Sequence, residues 1–186
     1  MKQYSIRLRS ITPYSQSRFV SQEELPMEKN EKHDDYEKRM WPHRMHVLPN
    51  GNVCIPPMSL KNAICDAASE LGRKFKGQRT YGPIFLAGIM CADPVDLGIK
   101  QADVPGEWLH LNADGKRGGN RRVMRCYPKI ATWSGTLALT VLNEAITAEI
   151  LEDHIEYCGM YVGIGRFRPI NGGFYGRFEA ESIKEE

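Results

Sequence analysis

The chain has 186 residues, 41% of them hydrophobic and 26% charged, a composition that suits one folded globular domain and excludes a disordered or fibrous protein. Lysine and arginine total 25 against 23 acids, so the net charge of +2 says nothing about nucleic acid unless cations cluster locally. No apolar run is long enough to span a bilayer, and Met1 to Arg9 lack the apolar stretch of a secretory signal. No membrane association is therefore expected, and the expected compartment is the cytoplasm. Cys54, Cys65, Cys91, Cys126 and Cys158 are odd in number, widely spaced and form no C-x-x-C pair, as reduced thiols acting as small hydrophobes would.

Gln3 to Ile11 alternate, with Tyr4, Ile6 and Leu8 on one face, and predict a half-buried strand that ends near Pro13. From Gln22 to Arg39 the chain is dense in charge with almost no apolar period, which predicts a solvated surface insertion that becomes helical only on a partner. Asn50-Gly51 between two short apolar runs is a hairpin signal. Leu60, Ala63, Ile64, Ala67, Ala68 and Leu71 fall on one helical face, with Ser59 as the expected N-cap and Gly72 as the stop. Lys61 lies in the first turn, where a cation opposes the helix dipole and hints at a nearby anion.

Pro83 to Ala92 are mostly apolar and read as a buried strand; Asp93 to Val104 read as a loop with one short extended piece. Two short strands, Glu107 to Leu111 and Arg122 to Tyr127, flank a glycine-rich tip and predict a protruding hairpin. Lys116, Arg117, Arg121 and Arg122 make that tip the strongest basic cluster; it reads as a phosphate contact or as an ordinary solvated turn. Trp133 to Leu142 alternate as a strand, Thr147 caps a second helix running from Ala148 to about Tyr161, and Gly173 to Glu179 read as the last strand.

The predicted order is strand, helix, strand, insertion, strand, helix, strand. It implies one α+β domain over residues 1–186, with insertions at about 20–46 and about 93–130. The arrangement is ferredoxin-like (RRM-like): a βαββαβ antiparallel sheet with both helices on one face. Between the second helix and the last strand, Gly163 to Phe178 interleave glycine, arginine and aromatic residues. Glycine permits close backbone approach, arginine binds phosphate and flat rings stack on bases, so the segment suits a single-stranded nucleic acid. The alternative is a glycine-rich turn whose Phe174, Tyr175 and Phe178 fill core.

Three stretches carry a family resemblance: the opening strand followed by Thr12-Pro13-Tyr14-Ser15, the run Ile55-Pro56-Pro57-Met58-Ser59-Leu60-Lys61-Asn62-Ala63, and the glycine-rich segment. Together they resemble the RAMP superfamily of CRISPR systems, closest to the guide-RNA-binding backbone subunits of effector complexes. Pro57-Met58 and Asn62 depart from that family's Gly-Ser and Gly. The resemblance implies RNA contact by Ser59, Lys61 and the loop arginines, assembly of neighbouring copies along the strand, and contact with other CRISPR effector subunits.

The expected function is thus a non-enzymatic module for single-stranded nucleic acid, RNA ahead of DNA. Its phosphate contacts would be Ser59, Lys61, Lys116, Arg117, Arg121, Arg122, Arg166 and Arg168, and its stacking rings Phe167 and Tyr175. These regions are expected to converge into one groove. Two other readings stand beside it. One is a metal-independent endoribonuclease using His43 or His46, which sit three apart; the other is a partner-binding protein that borrows the fold, such as a CRISPR inhibitor. With no third ligand near the two histidines, no metal or cofactor is expected.

Overall fold

The computed structural model describes residues 1–113 and 121–186. In chain order the elements are β1 (Lys2–Ser10), α1 (His33–Met40), β2 (Asn52–Ile55), α2 (Pro57–Leu71), β3 (Lys74–Lys76) and β4 (Arg79–Thr80). They continue with α3 (Gly82–Gly88), β5 (Ile89–Met90), β6 (Val95–Lys100), β7 (Gly106–Asn112), β8 (Arg122–Pro128), β9 (Ser134–Val141), α4 (Ala148–Tyr157) and β10 (Phe178–Glu185). The fold is mixed α+β, built on small antiparallel sheets. Among the described residues no helix is long and apolar enough to cross a membrane.

The main sheet has strand order β10-β1-β9-β5, antiparallel throughout. β1 runs down its centre, with Ile6 opposite Leu137 on one side and Ile183 on the other. Alternation in β1 buries Tyr4, Ile6 and Leu8 against Leu137, Leu139 and Val141, together with Ala63, Ile64 and Ala67 from α2 and Leu151 and Ile155 from α4. The other face carries Ser5, Arg7, Arg9, Thr136, Ala138 and Lys184. Arg7 donates there to the Ser134 hydroxyl at 2.8 Å, and Arg9 meets Glu181 at 2.8 Å. All five cysteines are buried and free.

Local chemistry explains the helix limits. Pro57 occupies the first position of α2, where its missing N–H would have had no helical partner, and Pro56 is the N-cap. Ser59 therefore lies inside the helix instead of capping it. Gly72 closes α2 in the left-handed region at φ 59°. Thr147 caps α4 as expected, its hydroxyl accepting from the Ile150 N–H at 3.3 Å.

Three predicted elements differ. Residues 82–88 form α3, not a strand; only Ile89 and Met90 pair, with Val141 and Thr140. The second helix ends at Tyr157 and passes into a π-helical turn, Cys158–Val162. The last strand begins at Phe178, because the glycine-rich residues before it turn back on themselves.

The charged insertion is also folded. Asp34 and Asp35 in the first turn of α1 and Lys38 and Arg39 in its last match the helix dipole. Arg39 holds Glu31 at 2.8 Å and the Pro26 carbonyl at 2.8 Å. Glu37, 1% exposed, takes both Arg44 nitrogens, Arg125 at 3.0 Å and the Cys126 N–H at 2.7 Å. Arg44, 5% exposed, also donates to the Cys126 carbonyl. A segment read as solvated because of its charge is thus riveted to β8 by a buried carboxylate.

Candidate nucleic-acid interface

The glycine-rich residues form a closed loop. Ile164 N–H donates to the Gly176 carbonyl at 3.0 Å, Tyr175 N–H to Phe167 at 2.9 Å, Arg166 N–H to Ser15 at 2.8 Å and Gly176 N–H to Pro13 at 2.8 Å. Gly165 sits at φ 75°, and a Cβ there would run into the Ser15 carbonyl and the Tyr14 ring. A Cβ at Gly176, φ 78°, would meet the Ile164 carbonyl. These two glycines serve the loop's own closure and its seat on 13–15. Phe167 adopts φ 53°, an uncommon conformation for an aromatic residue, held by the bonds around it.

That closure gathers rings and cations. The Tyr175 ring lies 6.0 Å from Phe167, edge to face, and 6.0 Å from Phe174. Phe174 is 61% exposed. Arg166 places its guanidinium 4.8 Å from the Phe167 ring centre and 3.4 Å from that of Tyr127, over which Arg44 also lies at 4.4 Å. Burial lowers the Arg166 pKa, and its Nε finds no acceptor among the described residues.

Glu107 of β7 and Lys129, just past the end of β8, support the loop. The Tyr175 hydroxyl donates to Glu107 at 2.8 Å, and Lys129 reaches the same carboxylate at 2.6 Å and the Tyr175 ring at 5.6 Å. Burial works to raise the Glu107 pKa, but the Lys129 and Tyr175 hydrogen bonds outweigh it and hold the carboxyl low. Burial, then Glu107, pushes the Tyr175 phenol up.

The predicted site residues divide. Arg166, Phe167, Arg168 and Tyr175 come together. Arg168 is committed to Asp66 of α2 at 3.2 Å, which ties the loop to that helix. Lys61 lies five residues before Asp66, about 140° around the helix, and donates to the Leu86 carbonyl of α3 at 3.2 Å. That carbonyl lies near the C-terminal end of α3, where backbone oxygens lack helical partners, so Lys61 answers a need of the fold. Ser59 lies two residues earlier on α2. Lys61 is thus committed to α3, while Arg168 takes Asp66 of the same helix.

Arg121 and Arg122 are exposed at the start of β8; Lys116 and Arg117 lie outside the described residues. His43 is exposed, and Arg18 donates to its carbonyl at 3.4 Å. The His46 imidazole is half-buried, and burial followed by nearby Arg18 lowers its pKa. No group of three metal-ligating side chains occurs among the described residues.

Sequence reasoning missed a second aromatic surface. Trp108 pairs with Cys126, His110 with Met124 and Asn112 with Arg122, so these side chains share one face of the β7–β8 ribbon. Trp108 is 41% exposed, and Met124, His110 and Arg122 are exposed beside it. The alternation of Trp108 and His110 with Leu109 and Leu111 was the available signal. Among the described residues the open face of the main sheet offers no such ring: it presents Ser5, Thr136, Ala138, Thr140 and the exposed Met90, with Arg7 and Arg9 paired to glutamates of β10. No family model matches the chain, and no curated protein matches it.

Proposed function

We propose that the chain is a non-enzymatic module that binds single-stranded nucleic acid, RNA ahead of DNA, on the closed glycine-rich loop. One observation carries this reading: Phe167, Phe174 and Tyr175 cluster at the surface with Arg166 and Lys129 against their rings. Rings held edge to face by a rigid loop are preorganised to receive bases, and cations beside them suit the phosphates between. The exposed face of the β7–β8 ribbon, with Trp108 and Arg122, extends the same chemistry.

The strand order β10-β1-β9-β5, with α2 after β1 and α4 between β9 and β10, supports a ferredoxin-like reading of the main sheet. With that reading goes membership of the RAMP superfamily, assembly of copies along the bound strand, contact with other CRISPR effector subunits and a cytoplasmic location. The resemblance supplies these, and each stands as a proposal.

Purification without nuclease tests the function. Nucleic acid should accompany the protein, be removed by RNase and resist DNase, and an Arg166→Ala/Arg168→Ala variant should retain far less. Protein that carries no nucleic acid, or a variant that retains as much as the parent, would overturn the reading.

A further inference from the structure

The β3–β4 ribbon follows α2 and carries chemistry that the fold does not consume. Its base is fixed: the Tyr81 N–H donates to the Arg73 carbonyl at 3.0 Å, Arg73 pairs with Glu149 of α4, and the buried Tyr81 ring packs on Phe85 and His154. Beyond that anchor Lys74, Phe75, Lys76 and Arg79 are all exposed. Side chains alternate along β3, so Lys74 and Lys76 take one face and Phe75 the other, where its ring stands edge-on to Tyr81 at 5.5 Å and stays 43% exposed. Lys2, Arg7, Arg9, Arg39 and Arg73 each meet a carboxylate. Among the described residues Lys74, Lys76 and Arg79 meet none, and Lys74 has only the Gln78 amide oxygen at 3.5 Å. Lys76 stands directly opposite Arg79 in the ribbon's register. Like charges in that position repel and weaken a two-stranded pair. A phosphate held between them removes the repulsion.

A cleft of about 750 Å³ opens beside Phe75, between the ribbon, α3 and residues 143–145. Phe75, Pro83, Ile84 and Ala87 give it an apolar wall, and Arg79 and Asn143 also line it. Asn143 Oδ1 accepts from the Ala145 N–H at 2.9 Å, and its NH2 group has no partner among the described residues. Arg79 therefore belongs both to the cleft and to the unpaired cations. An aromatic wall, an amide donor and a guanidinium are the parts of a site for a base together with its phosphate. An acidic peptide would engage the cations and leave the ring and the cleft unused, so a nucleotide uses more of what is there.

We propose that the β3–β4 ribbon and this cleft form a second nucleotide subsite, outside the glycine-rich loop. One base enters the cleft against Phe75, the adjoining phosphate lies between Lys76 and Arg79, and Lys74 adds to the attraction. The inference rests on the nucleic-acid reading, since its ligand is the same single strand.

Fluorescence anisotropy over a range of salt concentrations tests it, on nucleic-acid-free protein with a labelled oligouridine long enough to cover the domain. Lys76→Ala/Arg79→Ala should weaken binding about tenfold, and the slope of log affinity against log salt should become shallower by at least about 0.7, the share of one phosphate contact. Phe75→Ala should weaken binding about fivefold or more and leave the slope unchanged, and Phe75→Tyr, which keeps a ring, should bind like the parent. Lys29→Ala/Lys32→Ala removes two exposed cations of the insertion and should change neither quantity. Where the parent binds, an unmoved affinity and slope in Lys76→Ala/Arg79→Ala, an equal effect of the Lys29/Lys32 control, or Phe75→Tyr as weak as Phe75→Ala would overturn the subsite and leave the loop reading in place. A parent that ignores RNA would overturn both. Binding of polyglutamate that Lys76→Ala/Arg79→Ala abolishes, with RNA affinity unmoved, would give the ribbon to an acidic protein segment and overturn the subsite alone.

Discussion

Replacing Glu37 by alanine isolates the contact that anchors the charged insertion. The carboxylate takes two bonds from Arg44, one from Arg125 and one from the Cys126 N–H, and both members of the Glu37–Arg44 pair are buried. Without it, Arg44 keeps only the Cys126 carbonyl and the face of Tyr127, a charge buried without a counter-ion. Breaking such a pair costs about 3–5 kcal/mol. For a chain of this length that is a fall in Tm on the order of 10 °C, at roughly 2–4 °C per kcal/mol. Glu37→Leu/Arg44→Met should recover most of the loss, because the expense lies in the unpaired charge and not in the missing attraction. Lys38→Ala, which removes an exposed partner of Asp35 at 2.8 Å, is the control and should leave the denaturation midpoint essentially unchanged. The assay is urea denaturation of the four proteins followed by circular dichroism. A Glu37→Ala loss no larger than that of Lys38→Ala would refute the reasoning.

Other outcomes follow from the same physics. His154, fully buried against Phe85, has its pKa lowered by burial above all. Its unfolded form takes up a proton first, so stability should fall as pH drops below about 6.5, by up to ~1.4 kcal/mol per pH unit for this residue. His154→Phe should flatten that slope in denaturation run across pH, leaving the share from His46, whose pKa shifts the same way. Gly165→Ala and Gly77→Ala both place alanine at positive φ, but only the first meets neighbouring atoms. Gly77→Ala should cost about 1 kcal/mol and Gly165→Ala at least about twice that; equal losses in urea melts would refute the loop's close seat on Ser15. Lys61→Met should leave affinity for single-stranded RNA within about twofold in a filter-binding titration, since Lys61 faces α3.

The sequence was most readable where periodicity ran long. The alternation of Tyr4, Ile6 and Leu8, the stripe from Leu60 to Ala68 and the Thr147 cap all match the structure. The run Ile84-Phe85-Leu86 was too short for periodicity to separate buried strand from helix, and Pro83 at the start of α3 was the signal that would have decided. Pro57 gave the same signal for α2, where Ser59 drew attention because it is a better cap in isolation. Glu37 looked solvated because two of its partners, Arg125 and the Cys126 N–H, come from β8, about 88 residues away in sequence. The grouping of Arg166, Phe167 and Tyr175 was legible in composition. The reason for Gly165 was not, since it lies in the carbonyl of Ser15, a hundred and more residues earlier.

Fluorescence anisotropy with a labelled single-stranded RNA, at low salt on nucleic-acid-free protein, compares the parent with Phe174→Ala. Phe174 is exposed, so its removal spares the fold while taking away one stacking surface. The account predicts tight binding by the parent and a loss of about tenfold or more in the variant, the worth of one base stacked on a ring. A parent that ignores RNA, or a variant that binds it equally well, would contradict it.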